Sequence, residues 1–203
     1  MYTDIPKYSS FYEAISYVTS VGIMTGNECG KFMPDQLVNC AEAFIIIHNY
    51  LNLDIPFSKL SDSSFDWFLK ENPGFKWAEP YIYNLFKHKL VKKNQIHGLD
   101  KPIQLSHFIN ILIFSDPFLK QSNFFSQHSY RYDNESPKRE IIADILYRAD
   151  KLKADHTSSC ISKSLSIGDY SSVLSIIKES KTDRKSTRLN SSHSRASRMP
   201  SSA

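Results

Sequence analysis

The chain has 203 residues, 25 Lys+Arg against 21 Asp+Glu, 41% hydrophobic and 13% aromatic, enough to bury a core in one or two domains. Six Gly and nine Pro exclude a collagen-like or linker-like chain, and three Cys at unrelated spacings (Cys29, Cys40, Cys160) exclude a disulfide scaffold or a zinc ribbon. The longest apolar run, residues 43–47, falls far short of the roughly 20 residues of a membrane span, so no membrane insertion is expected.

The net charge of +4 is concentrated at one end. Residues 183–203 hold five of the basic residues and one acid, Asp183, which leaves 20 of each sign before them. A basic, Ser-rich tail ordinarily suggests a disordered nucleic-acid arm. Here, however, 183–193 and 197–203 each resemble a translated sequencing adapter, in one frame and separated by an index-sized gap. The segment is therefore expected to be an artefactual disordered tail and is set aside for fold reasoning. No nucleic-acid partner is expected, and the natural C-terminus is expected to be missing.

Along the remaining chain, residues 11–21 put Phe11, Ala14, Ile15 and Val18 on one helical face, and Gly22 stops that helix. A loop with three Gly and one Pro follows. Asn39 with Glu42 three residues on is a capping-box pattern, opening a helix from Cys40 to about Leu51 with Phe44, Ile47 and Leu51 on one face. The order then recurs. Residues 77–90 carry Trp77, Tyr81, Ile82, Leu85 and Phe86 at helical spacing, with Pro80 fitting only the first turn. A further loop precedes a helix with Leu105, Phe108, Ile109 and Leu112, ended by Asp116-Pro117. The displacement is about 65 residues, Val38 against Ile103, and repeats of this size share one core. Residues 54–76 read as loop with one or two helical turns at 65–69. Residues 118–136 read as irregular, 137–153 as a helix with Pro137 at its first position, and 168–178 as a short helix. Phe11, Ile15, Val18, Phe44, Ile47, Leu51, Tyr81, Leu85, Phe108 and Leu112 are expected to be buried together.

The first unit resembles an S-layer homology domain. Tyr2, Asp4 and Ile5 match the family's start, and Tyr12, Ala14 and Ile15 its first helix. Gly22, Ile23 and Gly26 match its loop, and Gly30, Phe32 and Pro34 its Gly-x-Phe-x-Pro element. Val38-Asn39-Cys40-Ala41-Glu42 stands where Ile-Thr-Arg-Ala-Glu belongs. The second unit matches more loosely over about 57–114. Trp77, Pro80, Tyr81 and Ile82 fit the first helix, Leu90-Val91 sits where Gly-Ile belongs, and 102–108 takes the place of the motif helix start. A truncated third repeat would align Pro137-Lys138-Arg139-Glu140-Ile141 with Thr-Arg-Ala-Glu-Phe.

The resemblance implies a mainly α fold, in which tandem helix-loop-helix repeats pack as a pseudo-symmetric bundle. The repeats would span 1–54 and 55–116, with a helical extension or truncated third repeat over 117–182. It implies a non-catalytic module that anchors an exported bacterial protein at the cell surface by binding an anionic secondary cell-wall polysaccharide. The other partners would be further domains of the same protein. A polymer bearing carboxylate or pyruvyl groups calls for cations in a groove, with Arg favoured for bidentate bonding, and for aromatic faces against sugar rings. The implied polymer-binding residues are Asn39, Glu42, Trp77, Lys138, Arg139 and Glu140. The motif Arg is replaced by Cys40 in the first repeat and Leu105 in the second, and only Lys138 and Arg139 keep basic character. No cofactor, metal or catalytic residue is implied. No signal peptide precedes Tyr2, so an exported protein would have lost its leader here. The alternative is a helical-repeat interaction or structural module that has lost polymer binding; a third possibility is an accessory region beside an enzymatic domain that lies outside this sequence.

Other signals have ordinary explanations. Glu42 completes a helix cap, Asp4 suits a turn before the first helix, and the scattered His residues share no metal spacing. His156 and Cys160 lie four apart but lack further ligands. Cys29 and Cys40 either form a disulfide or remain free, with Cys40 a buried thiol. Lys87, Lys89, Lys92 and Lys93 form a basic cluster that is either a solvated face or a replacement for the lost motif cations.

Overall fold

In the computed structural model, residues 2–54, 63–122, 124–127 and 135–166, together with 171–172, 174–176 and 178, are described. The 183–203 tail lies outside them, as does most of the 168–178 stretch. The chain is mainly helical: α1 (Tyr12–Ser20), α2 (Cys40–Tyr50), α3 (Trp67–Glu71), α4 (Glu79–Lys87), α5 (Leu105–Ser115), α6 (Pro117–Gln121), α7 (Phe124–Gln127) and α8 (Arg139–Ser166). The turns Ser63–Phe65, Pro73–Phe75 and Lys93–Gln95 are 3-10.

Local chemistry explains where the helices start and stop. The Asn39 Oδ1 accepts from the Glu42 N–H at 2.8 Å, and the Glu42 carboxylate accepts from the Asn39 N–H at 3.1 Å, so the capping box closes at α2. At the end of α1, Gly22 adopts φ +78, its N–H donates to the Thr19 carbonyl, and the Ile23 N–H returns to the Val18 carbonyl at 2.9 Å. That is a Schellman end. The same pair of bonds ends α4, where the left-handed residue is Lys89 at φ +59 and the Leu90 N–H returns to the Leu85 carbonyl at 2.9 Å. Lys89-Leu90 thus ends α4 with the same bonding that Gly22-Ile23 gives α1.

Two elements differ from the sequence reading. The stretch after Asp116 is helical over α6 and α7, because the Asp116 carboxylate caps the Phe118 and Leu119 N–H groups and Pro117 fits the first position. Helix α8 begins at Arg139 and runs 28 residues, well past 153. Only its first half carries the apolar stripe, Ile142, Ile145, Leu146 and Ala149, all fully buried.

One core joins these elements. α1 packs on α8, α2 on α4, and α5 on α6. Ile15, Val18, Phe44, Ile47, Leu85, Phe108 and Leu112 are buried in it, and Phe11 and Leu51 pack half-buried against it. Tyr81 is half-buried, edge-on to His48 at 5.1 Å.

The segments leading into α2, α5 and α8 meet edge to edge. The Cys40 N–H donates to the Lys101 carbonyl (2.9 Å), the Leu105 N–H to the Glu135 carbonyl (3.0 Å), and the Arg139 N–H to the Gln36 carbonyl (2.9 Å). Further in, the Ile103 N–H donates to the Val38 carbonyl (2.9 Å) and the Val38 N–H to the Pro137 carbonyl (3.2 Å). Pro137, lacking an N–H, cannot continue that inner series. Val38 and Ile103 thus precede two like helices and touch each other.

Candidate functional site

Five of the six candidate residues lie on two adjacent segments, 34–42 and 135–140. Asn39 and Glu42 are engaged in the α2 cap. The Lys138 ammonium sits 2.6 Å from the Asp35 carboxylate on the surface, and that bond and charge raise its pKa. Burial pushes the Glu140 carboxyl up, and Asp35 adds to this against the pull of Lys138. The Glu140 N–H donates to the Pro34 carbonyl at 3.1 Å. Trp77 stands apart in the turn before α4, half-buried, with its ring 6.1 Å from Phe75.

Arg139 is buried, 7% exposed. Its Nε donates to the Phe32 carbonyl at 2.9 Å and its Nη2 to the Thr25 carbonyl at 2.6 Å, while its guanidinium lies over the Phe32 ring. Burial pulls its pKa down, with Glu42, Tyr2 and Asp4 acting the other way. The loop it grips is itself fastened. Asp4 takes the Phe32 N–H at 2.9 Å and the Met33 N–H at 2.7 Å; burial alone would raise its pKa, but these donors and Lys31 hold it below the ordinary value. Asp4 thus holds the loop after α1 rather than a turn before it. The Tyr2 hydroxyl accepts from the Gly26 N–H at 2.7 Å, and a Cβ on Gly26 would collide with the Tyr2 ring at 2.2 Å.

A cavity of about 350 Å³ opens between loop 89–95 and the outer face of α5. Lys89, Leu90 and Lys92 line it from the loop side, and Asn110, Ile111 and Phe114 from α5. Phe114 is 63% exposed. Nothing in the apolar periodicity marks this set, since its members come from a loop and from a stretch of α5 that mixes the core residue Ile111 with Asn110 and the exposed Phe114. The basic cluster divides there: Lys93 pairs with Glu71 at 2.8 Å and lies over Trp67, and Lys87 sits over the Tyr83 ring.

Cys29 is exposed, Cys40 half-buried, and both are free thiols, with burial and then the Asp100 charge raising the Cys40 pKa. The Cys160 sulfur is 3.8 Å from His156 Nδ1, but among the described residues no group of three metal-ligating side chains forms. Also among the described residues, no helix is long and apolar enough to cross a membrane.

The loop gripped by Arg139 lies inside the stretch for which a family likeness exists: residues 2–44 match the S-layer homology domain. The chain therefore carries an S-layer homology domain at its start, a non-catalytic kind of module that anchors proteins to bacterial cell walls by binding their secondary polymers. Domains of this kind are associated with the bacterial cell surface. No curated protein matches the chain.

Proposed function

We propose that this chain is a three-unit anchoring module that holds an exported bacterial protein to an anionic secondary cell-wall polysaccharide and catalyses no reaction. The observation that carries the reading is the edge-to-edge meeting of the segments before α2, α5 and α8. Taking Val38, Ile103 and Pro137 as equivalent, each segment donates from the residue two beyond that position to the carbonyl two before it on a neighbouring segment: Cys40 to Lys101, Leu105 to Glu135, Arg139 to Gln36. This cyclic register supports a pseudo-threefold arrangement in which α8 is the motif helix of a third, shortened unit and α6 its first helix. It also sets Arg139, rather than Lys138, opposite Cys40 and Leu105.

The candidate residues Asn39, Glu42, Lys138, Arg139 and Glu140 then build the frame, and Trp77 flanks the second unit. Long-range attraction contributes little, because residues 1–182 carry equal numbers of acids and bases. Binding rests on local cations instead. The alternative, an interaction or structural module that has lost polymer binding, is favoured by the burial of Arg139 beside the uncharged Cys40 and Leu105. Co-sedimentation of the full chain with purified sacculi, with and without their acid-extractable polymer, separates the two. Pelleting that disappears with the polymer supports anchoring; equal pelleting in both, or none, rejects it.

A further inference from the structure

We propose that the cluster joining α8 to α1, α2 and α6 is an acid-tightened latch: Asp150 takes up a proton there as pH falls, and α8 then grips α1 and α2 more firmly. This inference goes beyond the anchoring role and does not depend on it. The geometry is one ammonium set between two carboxylates. Asp116 is buried and Asp150 half-buried, and the Lys153 ammonium faces both, in contact with Asp116 and 4.0 Å from Asp150. With both carboxyls ionised the cluster carries one negative charge in excess, partly shielded from water, and like charges so placed disfavour ionisation. Lys153 is committed to Asp116 by contact, so Asp150 is the carboxyl it serves less.

Each element packed around Asp150 brings a group to it. From α1 the Tyr17 hydroxyl donates to its carboxylate at 2.8 Å. From α2 comes Tyr50, whose hydroxyl donates to Asp116 at 3.3 Å, and from the head of α6 comes Asp116 itself. α8 supplies Lys153, whose ammonium lies 4.5 Å from the Tyr50 ring centroid. Burial does most to raise the Asp150 pKa and the Asp116 charge adds to it, against the Tyr17 and Tyr50 hydroxyls and Lys153. A folded state that holds this proton more tightly than the unfolded chain gains stability as pH falls. The contribution is complete below the ordinary aspartate range and is lost as pH rises through the folded value. At the start of the same helix Arg139 fastens the loop between α1 and α2, so the latch bears on the first unit at two places, α1 and that loop.

Whole-chain melting does not isolate the latch, because burial lowers the pKa of His48 and His107 and their contributions run the opposite way. The readout is amide hydrogen exchange of the full chain, taken as the ratio of protection in wild type to that in Asp150→Asn at the same pH, which cancels the intrinsic pH dependence of exchange. At the buried α8 positions Ile142, Ile145 and Ala149 that ratio is expected to rise about threefold or more between about pH 7 and about pH 4.5, while in α4 it stays flat. Tyr17→Phe removes a donor to the carboxylate and should move the rise to higher pH. A flat or falling ratio in α8 overturns the latch, as does a rise shared equally by α4 or one that Tyr17→Phe leaves in place. Should Asp150→Asn fail to fold, a carbon-13 titration of the Asp150 carboxyl in the wild-type chain decides: a midpoint above the ordinary aspartate value supports the latch, and one at or below it overturns the proposal.

Discussion

Arg139 covers Phe32, with the guanidinium carbon 4.8 Å from the ring centroid and the Nε bonded to the Phe32 backbone carbonyl. The first residue of α8 is thereby fastened to the loop between α1 and α2, more than a hundred residues away. Replacing it with Ala leaves the Phe32 and Thr25 carbonyls without donors and the ring uncovered, and is expected to cost about 3 kcal/mol. Lys cannot reach both carbonyls and stack at once, so Arg139→Lys should cost about 1–2 kcal/mol. Urea unfolding measures both, and a wild-type midpoint for Arg139→Ala would contradict the fastening.

The two Schellman ends predict opposite signs for opposite changes. Gly22→Ala introduces a Cβ that meets nothing within 4 Å, so its cost is the left-handed backbone alone, about 1 kcal/mol. Lys89→Gly removes the same strain and should stabilise by up to about 1 kcal/mol, partly offset by the freer unfolded chain. Thermal melts of the two variants should move in opposite directions; a lowered melt for Lys89→Gly would refute the strain.

His48 lies in the α2–α4 interface, 2% exposed, with Nε2 accepting from the Asn84 side-chain amide at 3.1 Å and Nδ1 3.4 Å from the Asn49 side-chain Oδ1. Burial lowers its pKa; nearby His88 adds to this, and Asn49 and Asp54 oppose it. The folded state therefore holds the proton less readily than the unfolded one. Stability from this group is complete above about pH 6.5 and falls as pH drops from there toward the lower folded value. His107, also shifted downward by burial, and Asp150, shifted upward, titrate in the wild type and the variant alike. The measurement is accordingly a difference: His48→Gln should lose less stability than wild type between pH 7.5 and 5.5. Parallel curves would show that His48 is not the group responding.

Much of the fold is legible in the sequence because α1, α2, α4 and α5 each carry an apolar stripe wide enough to set their burial. The stripe of Phe44 and Ile47, or of Phe108 and Leu112, needs no tertiary knowledge. The end of α8 does not announce itself, since past Leu152 a mostly polar stretch separates the apolar stripe from Cys160, Ile161 and Leu165 and the periodicity does not continue. α6 was hidden in Asp116-Pro117, a pair that ends one helix and caps the next. The register of the Arg139 segment was hidden for a different reason: it is fixed by backbone bonds to Gln36 and Pro34, and Pro137 reads equally well one position either way. The cavity at Lys89 escapes sequence reading because no spacing rule links a loop to the outer face of the following helix.

Asp116 closes the arrangement at the other end of the core. It is 6% exposed, accepts from the Tyr50 hydroxyl at 3.3 Å, caps α6, and pairs with Lys153 of α8, whose ammonium lies 4.5 Å from the Tyr50 ring centroid. Burial, together with the Asp150 and Asp116 charges, drives the Tyr50 hydroxyl far up, so it remains a donor. Asp150, raised mainly by burial, takes the Tyr17 hydroxyl at 2.8 Å. One cluster thus ties α1, α2, α6 and α8 together. Asp116→Asn keeps the cap but removes the charge, and is expected to cost about 2 kcal/mol, whereas Lys153→Met strands a buried carboxylate and should cost a similar amount. The double variant should cost less than the two added together, because neither charge is then left alone. A double-mutant cycle by urea unfolding measures this, with a coupling of about 1 kcal/mol or more expected. Strict additivity would mean that Asp116 and Lys153 act separately and that α8 is held by its apolar stripe alone.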